Sequence, residues 1–101
     1  MENFARTCSV TNEGMNEGWC WGEGAFYTKH KEDTLKECEN DKEYILGGLE
    51  QEQFQFENEV ENEEELIEKV KNSPDKLTSE ELLSIAYGID YLYWTTWEIG
   101  D

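Results

Sequence analysis

The chain has 101 residues, with 25 Asp or Glu against 8 Lys or Arg, and a formal charge of −17. Nucleic-acid phosphates and anionic membrane surfaces both demand Lys and Arg, so this balance excludes direct binding to either. Four Trp, five Tyr and four Phe also set the chain apart from disordered acidic sequences, which are poor in aromatics.

The length suits a single domain, residues 1–101, able to bury a modest core. Met1-Glu2-Asn3-Phe4-Ala5-Arg6 has neither a basic n-region nor an apolar h-region, so no secretory signal is expected. Three cysteines, an odd number, do not form a secreted disulfide framework. Free thiols in a reducing cytoplasm are the expectation.

Residues 1–31 are almost neutral, with Glu2, Glu13, Glu17 and Glu23 set against Arg6, Lys29 and Lys31. Phe4 to Val10 can form a first short strand, and Gly14 and Gly18 bracket a turn. Trp19-Cys20-Trp21 and Ala25-Phe26-Tyr27-Thr28 flank Gly22-Glu23-Gly24. Two aromatic runs around a glycine-containing turn predict a β-hairpin.

Glu32 to Leu46 predicts a helix. Asp33 or Thr34 can cap it, Glu37 completes the capping-box spacing, and Leu35, Cys38 and Ile45 share a face. Gly47-Gly48 is expected to end it. Gln53-Phe54-Gln55-Phe56-Glu57 alternates as a half-buried strand does, yet like charges at Glu57, Glu59 and Glu61 favour a loop, and both readings stay open. Glu63 to Asn72 predicts a short helix burying Leu66, Ile67 and Val70, broken by Ser73-Pro74-Asp75. Thr78-Ser79-Glu80-Glu81 is a capping box opening another helix, with Leu82, Leu83, Ala86 and Ile89 inward. The tail from Asp90 to Ile99 is rich in aromatic and β-branched residues and predicts a strand paired with the hairpin, apolar on both faces and so central. The expected fold is α+β: a small antiparallel sheet, made of the N-terminal hairpin and the C-terminal strand, packed with about three helices.

Charge gathers in the middle. Residues 32–75 hold sixteen acids against four lysines, a net of −12 of the total −17. Glu50 to Glu68 holds nine acids and no cation. Like charges destabilise a compact state, so such a block either serves as a solvated face or meets something positive. Nucleic-acid-binding proteins are the natural class of strongly basic partners. The candidate contact residues are Glu57, Glu59, Glu61, Glu63, Glu64, Glu65 and Glu68, with Glu37, Asp41 and Glu43 extending the row.

Other chemistries find weaker support. Cys8, Cys20, His30 and Cys38 could supply a zinc site, but no C-x-x-C pair is present, and Cys20 and Cys38 read as small buried hydrophobes. A calcium loop starting at Asp41 fails because Leu46 stands where glycine is needed. No nucleophile–base or phosphate-loop signature occurs, so no enzyme activity and no cofactor are expected. Trp94 and Trp97 are either sheet core or an aromatic contact surface.

Cys8-Ser9-Val10-Thr11, Gly14-Met15-Asn16-Glu17-Gly18-Trp19 and Tyr93-Trp94-Thr95-Thr96-Trp97-Glu98 resemble a group of small proteins of phages and Bacteroidetes genomes. Those open with a cysteine motif, continue with G-M-N-E-G and end in an aromatic Y-x-T-x-W-E. Some relatives carry paired cysteines that suggest a zinc knuckle, and here Thr11 stands where the second would be. In size, acidity and phage character the chain is also similar in type to anti-CRISPR proteins, whose nucleic-acid mimics occupy the positive groove of a nuclease. The resemblance implies an acidic, non-enzymatic inhibitor of a basic nucleic-acid-binding protein such as a CRISPR effector, acting in the host cytoplasm. The alternative is a small metal-binding adaptor with a degenerate zinc knuckle, using Cys8, Cys20 and Cys38.

Overall fold

A computed structural model of the chain describes residues 4–22 and 26–97. Its elements in order are β1 (Arg6–Thr7), β2 (Gly14–Met15), β3 (Glu17–Trp21), β4 (Tyr27–Thr28), α1 (Lys31–Asn40), α2 (Lys42–Gln51), α3 (Glu63–Asn72), a 3₁₀ turn (Pro74–Lys76), α4 (Ser79–Gly88) and β5 (Leu92–Thr96). The fold is α+β, as the sequence pattern implies.

The aromatic hairpin forms. β3 and β4 are antiparallel with Trp19 opposite Thr28 and Cys20 opposite Tyr27; Glu23, Gly24 and Ala25 at its expected tip lie outside the described residues. β5 pairs with the other side of β3, Trp94 opposite Trp19 and Leu92 opposite Trp21. The strand order is therefore β4-β3-β5, and the C-terminal strand is an edge rather than the centre. Leu92 is buried, whereas Tyr93 and Trp94, on opposite faces of that edge strand, are both exposed. Ile99 of the expected strand lies outside the described residues. The first strand shrinks to Arg6–Thr7, paired with Gly14–Met15, because the chain turns back at Cys8. The Cys8 N–H donates to the Glu13 carbonyl at 2.7 Å, and Asn12 adopts a left-handed φ of 66°.

The expected helix over 32–46 is two ten-residue helices joined at Asp41. The hydrogen-bond ladder crosses the joint, since the Asp41 N–H donates to Glu37 O and the Ile45 N–H to Asp41 O, both at 2.9 Å. Thr34 is not the cap. It is buried, and its hydroxyl donates to the His30 carbonyl at 2.9 Å. That proton being committed, the Thr28 hydroxyl donates to Thr34 Oγ1 at 2.6 Å and accepts from Trp21 Nε1 at 3.3 Å. This buried chain sets the plane of Trp21. Nor does Gly47-Gly48 stop the helix: α2 continues to Gln51, and Gly48 gives room for Ile89, whose Cδ1 would lie 2.9 Å from an added Cβ. The stop comes later, where Gln53 and Phe54 take φ of 56° and 61°.

The core gathers Trp21 from the sheet, Cys38, Ile45 and Leu49 from α1 and α2, Leu66 from α3, and Leu82, Ile85 and Ala86 from α4, with Leu92 from β5. Ile85 is fully buried, one turn from Leu82 and beside Ala86, whereas the expected inward residues Leu83 and Ile89 are only half-buried. Buried side-chain nitrogens and oxygens among the described residues all find partners. No helix among the described residues is long and apolar enough to cross a membrane.

Candidate partner-binding surface

The acidic block stands on two supports. The first is the segment between α2 and α3. It forms no strand, but its burial alternates strictly from residue 51 to residue 60. Phe54, Phe56 and Val60 rest on the core from the even positions, while Glu57 and Glu59 face solvent from the odd ones, as does Glu61 beyond them. The alternation read in the sequence is thus real without being a strand. The segment is pinned at Gly88, whose carbonyl accepts from the Glu57 N–H at 2.7 Å and the Asn58 N–H at 3.0 Å. Asn58 Nδ2 donates to the Tyr87 carbonyl at 2.9 Å. The Lys71 ammonium lies 4.8 Å from the centre of the Phe54 ring, a cation–π contact between the segment and the end of α3.

The second support is α3. Asn62 turns the chain into it with φ 58°, and Leu66 is buried. Glu63, Glu64 and Glu65 occupy the first turn and Lys69 and Lys71 the last, both favourable to the helix dipole. Glu63, Glu64, Glu65 and Glu68 are exposed. None of Glu57, Glu59, Glu61, Glu63, Glu64, Glu65 or Glu68 enters an ion pair among the described residues.

Glu61 and Glu65 come together in a cleft of about 250 Å³ between α3 and α4, lined also by Glu80, Glu81, Thr78 and Ser84. Glu81 is engaged there. Lys69 Nζ donates to it, and so does the Thr78 N–H. The Thr78 N–H bond, followed by the Lys69 contact, holds its carboxyl below the usual carboxylate range. The capping box is written in consecutive residues, but the proximity of Glu80 to Glu61 and Glu65 is not, since it depends on how α4 packs.

The helix acids are placed differently. Glu43 is exposed on the first turn of α2. Glu37 and Asp41 are half-buried, and both line a separate cleft with Trp21, Phe26 and Tyr91.

The cysteines are free and buried. Among the described residues no group of three or more His, Cys, Asp or Glu is placed to hold a metal ion, so Cys8, Cys20 and Cys38 are not brought into the set that a zinc knuckle needs. His30 is exposed and shares a 3.0 Å hydrogen bond with Glu13 Oε1. Trp94 is 47% exposed on the edge strand, edge-on to Trp19, and Trp97 is half-buried against Tyr27.

No protein-family model matches the chain, and no curated protein and no solved structure matches it.

Proposed function

We propose that this protein is an acidic, non-enzymatic inhibitor that binds a basic nucleic-acid-binding protein and excludes its nucleic acid, in the manner of an anti-CRISPR mimic acting in the cytoplasm of a phage host. One observation carries the reading. Seven carboxylates, Glu57, Glu59, Glu61, Glu63, Glu64, Glu65 and Glu68, stand exposed and without ion-pair partners among the described residues, along a segment and a helix that are both fastened to the core. A solvated face needs charge but no such fastening. With the backbone beneath them held in place, less freedom is lost on binding, so each charge-assisted bond to Lys or Arg contributes more. Residues two apart in the segment lie at most about 7 Å from each other at Cα, and helical residues three or four apart lie about 5–6 Å apart at Cβ. Separate Lys and Arg side chains can therefore meet neighbouring carboxylates, as they would meet phosphates.

The test is capture from host lysate, nuclease-treated, at low and high salt, with the native chain and with Glu61→Lys, Glu63→Lys, Glu64→Lys and Glu65→Lys combined. The expected result is one basic nucleic-acid-binding protein, released by salt and bound at least about tenfold more weakly by the variant, whose fold persists. Unchanged affinity in the folded variant would remove the mimic. A partner indifferent to salt would move the contact to the aromatic edge around Trp94.

A further inference from the structure

The cleft at the joint of α1 and α2 has a composition that the acidic block does not share. Trp21, Phe26 and Tyr91 line it with Glu37 and Asp41, around a cavity of about 270 Å³. Phe26 and Tyr91 each stand 5.8 Å from the Trp21 ring, at interplanar angles of 85° and 80°. All three rings line one cavity, with Phe26 and Tyr91 packed edge-to-face against Trp21. Trp21 is fixed in place, because its Nε1 donates to Thr28 Oγ1 inside the core. Tyr44, 62% exposed, lies 5.1 Å from Tyr91 and continues the aromatic wall outward.

The remaining side is anionic. Glu37 and Asp41 are four residues apart across a continuous stretch of helical hydrogen bonding, which places them on one face. The Tyr91 hydroxyl donates to Asp41 Oδ2 at 3.3 Å and orients that carboxylate. Neither acid forms an ion pair among the described residues, not even with its sequence neighbours Lys36 and Lys42. No Lys or Arg is among the described lining residues. The negative field reaches the neighbouring core: Cys38 is pushed up to about 12, by burial first and then by Asp41 and Glu37.

We propose that this cleft is the seat of an arginine side chain. Aromatic faces attract a cation through their quadrupole, and a guanidinium stacks flat on them better than an ammonium does. Its fork of N–H donors suits two adjacent carboxylates, which a point-like ammonium cannot span. The volume is slightly below the range of about 300–1,000 Å³ typical of pockets for whole drug-sized ligands, so it fits the end of a side chain. The source of the arginine, a basic protein partner, rests on the functional reading above; the seat itself does not. The partner would then be held by carboxylates on α3 and anchored separately by one arginine at the α1–α2 joint.

The test titrates the ¹⁵N-labelled native chain with N-acetyl-arginine amide and with its neutral isostere N-acetyl-citrulline amide, following the assigned Trp21 indole N–H and the backbone of Tyr91 and Asp41. Saturable shifts at these groups with the arginine probe are expected, with citrulline at least about tenfold weaker. The combined Glu37→Gln, Asp41→Asn variant should lose the same preference, and the charge-reversed α3 variant should keep it. Equal response to both probes, absence of saturable shifts at Trp21, or loss of the response in the α3 variant would overturn the seat. A chain that captures no basic partner yet binds the arginine probe at Trp21 loses the functional reading and keeps this one.

Discussion

Lys69 Nζ lies 2.9 Å from both carboxylate oxygens of Glu81. One of those oxygens also accepts from the Thr78 N–H at 2.9 Å, and the Glu81 N–H returns a bond to Thr78 Oγ1 at 3.1 Å. A local capping box has thereby become the point at which the acidic helix α3 is tied to α4. Replacing Lys69 by Met should cost about 1 kcal/mol, since the lysine is part-exposed. Glu81→Ala should cost more, about 1–2 kcal/mol, because it removes cap and tie together. In both variants the amides of α3 should exchange faster than those of β3, as hydrogen-exchange mass spectrometry would read. Equal protection of α3 in the native chain and Lys69→Met would show that the packing of Leu66 and Val70 and the Lys71–Phe54 contact hold the helix without this tie.

The same carboxylate has a signature in pH. Glu81 is held below its ordinary value of 4.5, through Thr78 first and Lys69 next. A depressed folded value means that the unfolded chain takes up the proton first. The stabilisation is complete above the ordinary value and disappears as pH falls through the lower folded one. The melting-temperature difference between the native chain and Glu81→Gln should therefore stay constant above about pH 5 and close below 4.5. Taking the difference cancels the general relief of repulsion that acid brings to so anionic a chain. A gap that widens in acid would contradict the assignment.

The thiols should separate by reactivity, which follows the thiolate. Burial pushes Cys38 up to about 12, with Asp41 and Glu37 adding to it. At Cys8 burial also raises the value, but hydrogen bonds from the Thr11 side chain and backbone, and from the backbone of Lys29 and Val10, outweigh it and the net direction is down. Both thiols are buried, so labelling needs an opening as well as a thiolate; Cys8 lies in the short turn after β1, outside the main core that holds Cys38, and native-state alkylation with iodoacetamide, read peptide by peptide, should label Cys8 well before Cys38. Parallel labelling of the two would mean that both react only through global opening.

What the sequence discloses and what it hides divides along the range of the interactions. The hairpin, the helix at Glu63–Asn72 and the capping box at Thr78 were legible because each is written in consecutive residues. The edge position of β5 was not, since Leu92 to Thr96 look equally apolar on both faces and only the placement of β3 decides. Gly47-Gly48 looks like a helix end locally, but the approach of Ile89 makes small residues useful within α2. Thr34 carries a cap signature, yet Thr28 and Trp21 draw it inward. The exposed carboxylates followed directly from charge density. The pairing of Glu37 and Asp41 with three aromatic rings did not, because Trp21, Phe26 and Tyr91 are distant in the chain.

Gly88 offers a test of whether the acidic segment works because it is fastened. Its carbonyl accepts from Glu57 and Asn58, and the Phe56 ring covers it so closely that an added Cβ would stand 2.3 Å from Cδ1. Gly88 is the last residue of α4, so the substitution acts on the segment and spares the helix interior. Alanine there must push Phe56 off its seat and spoil both hydrogen bonds, at about 1–3 kcal/mol. Amides of residues 54–60 should then exchange faster while α4 remains protected. Every carboxylate is still present in this variant, and the net charge remains −17. If the acids act as a held row, partner affinity should fall several-fold at constant charge, with the loss appearing mainly in the dissociation rate. If they act only as a diffuse field, Gly88→Ala should bind as the native chain does even with the segment released, and charge alone would account for recognition.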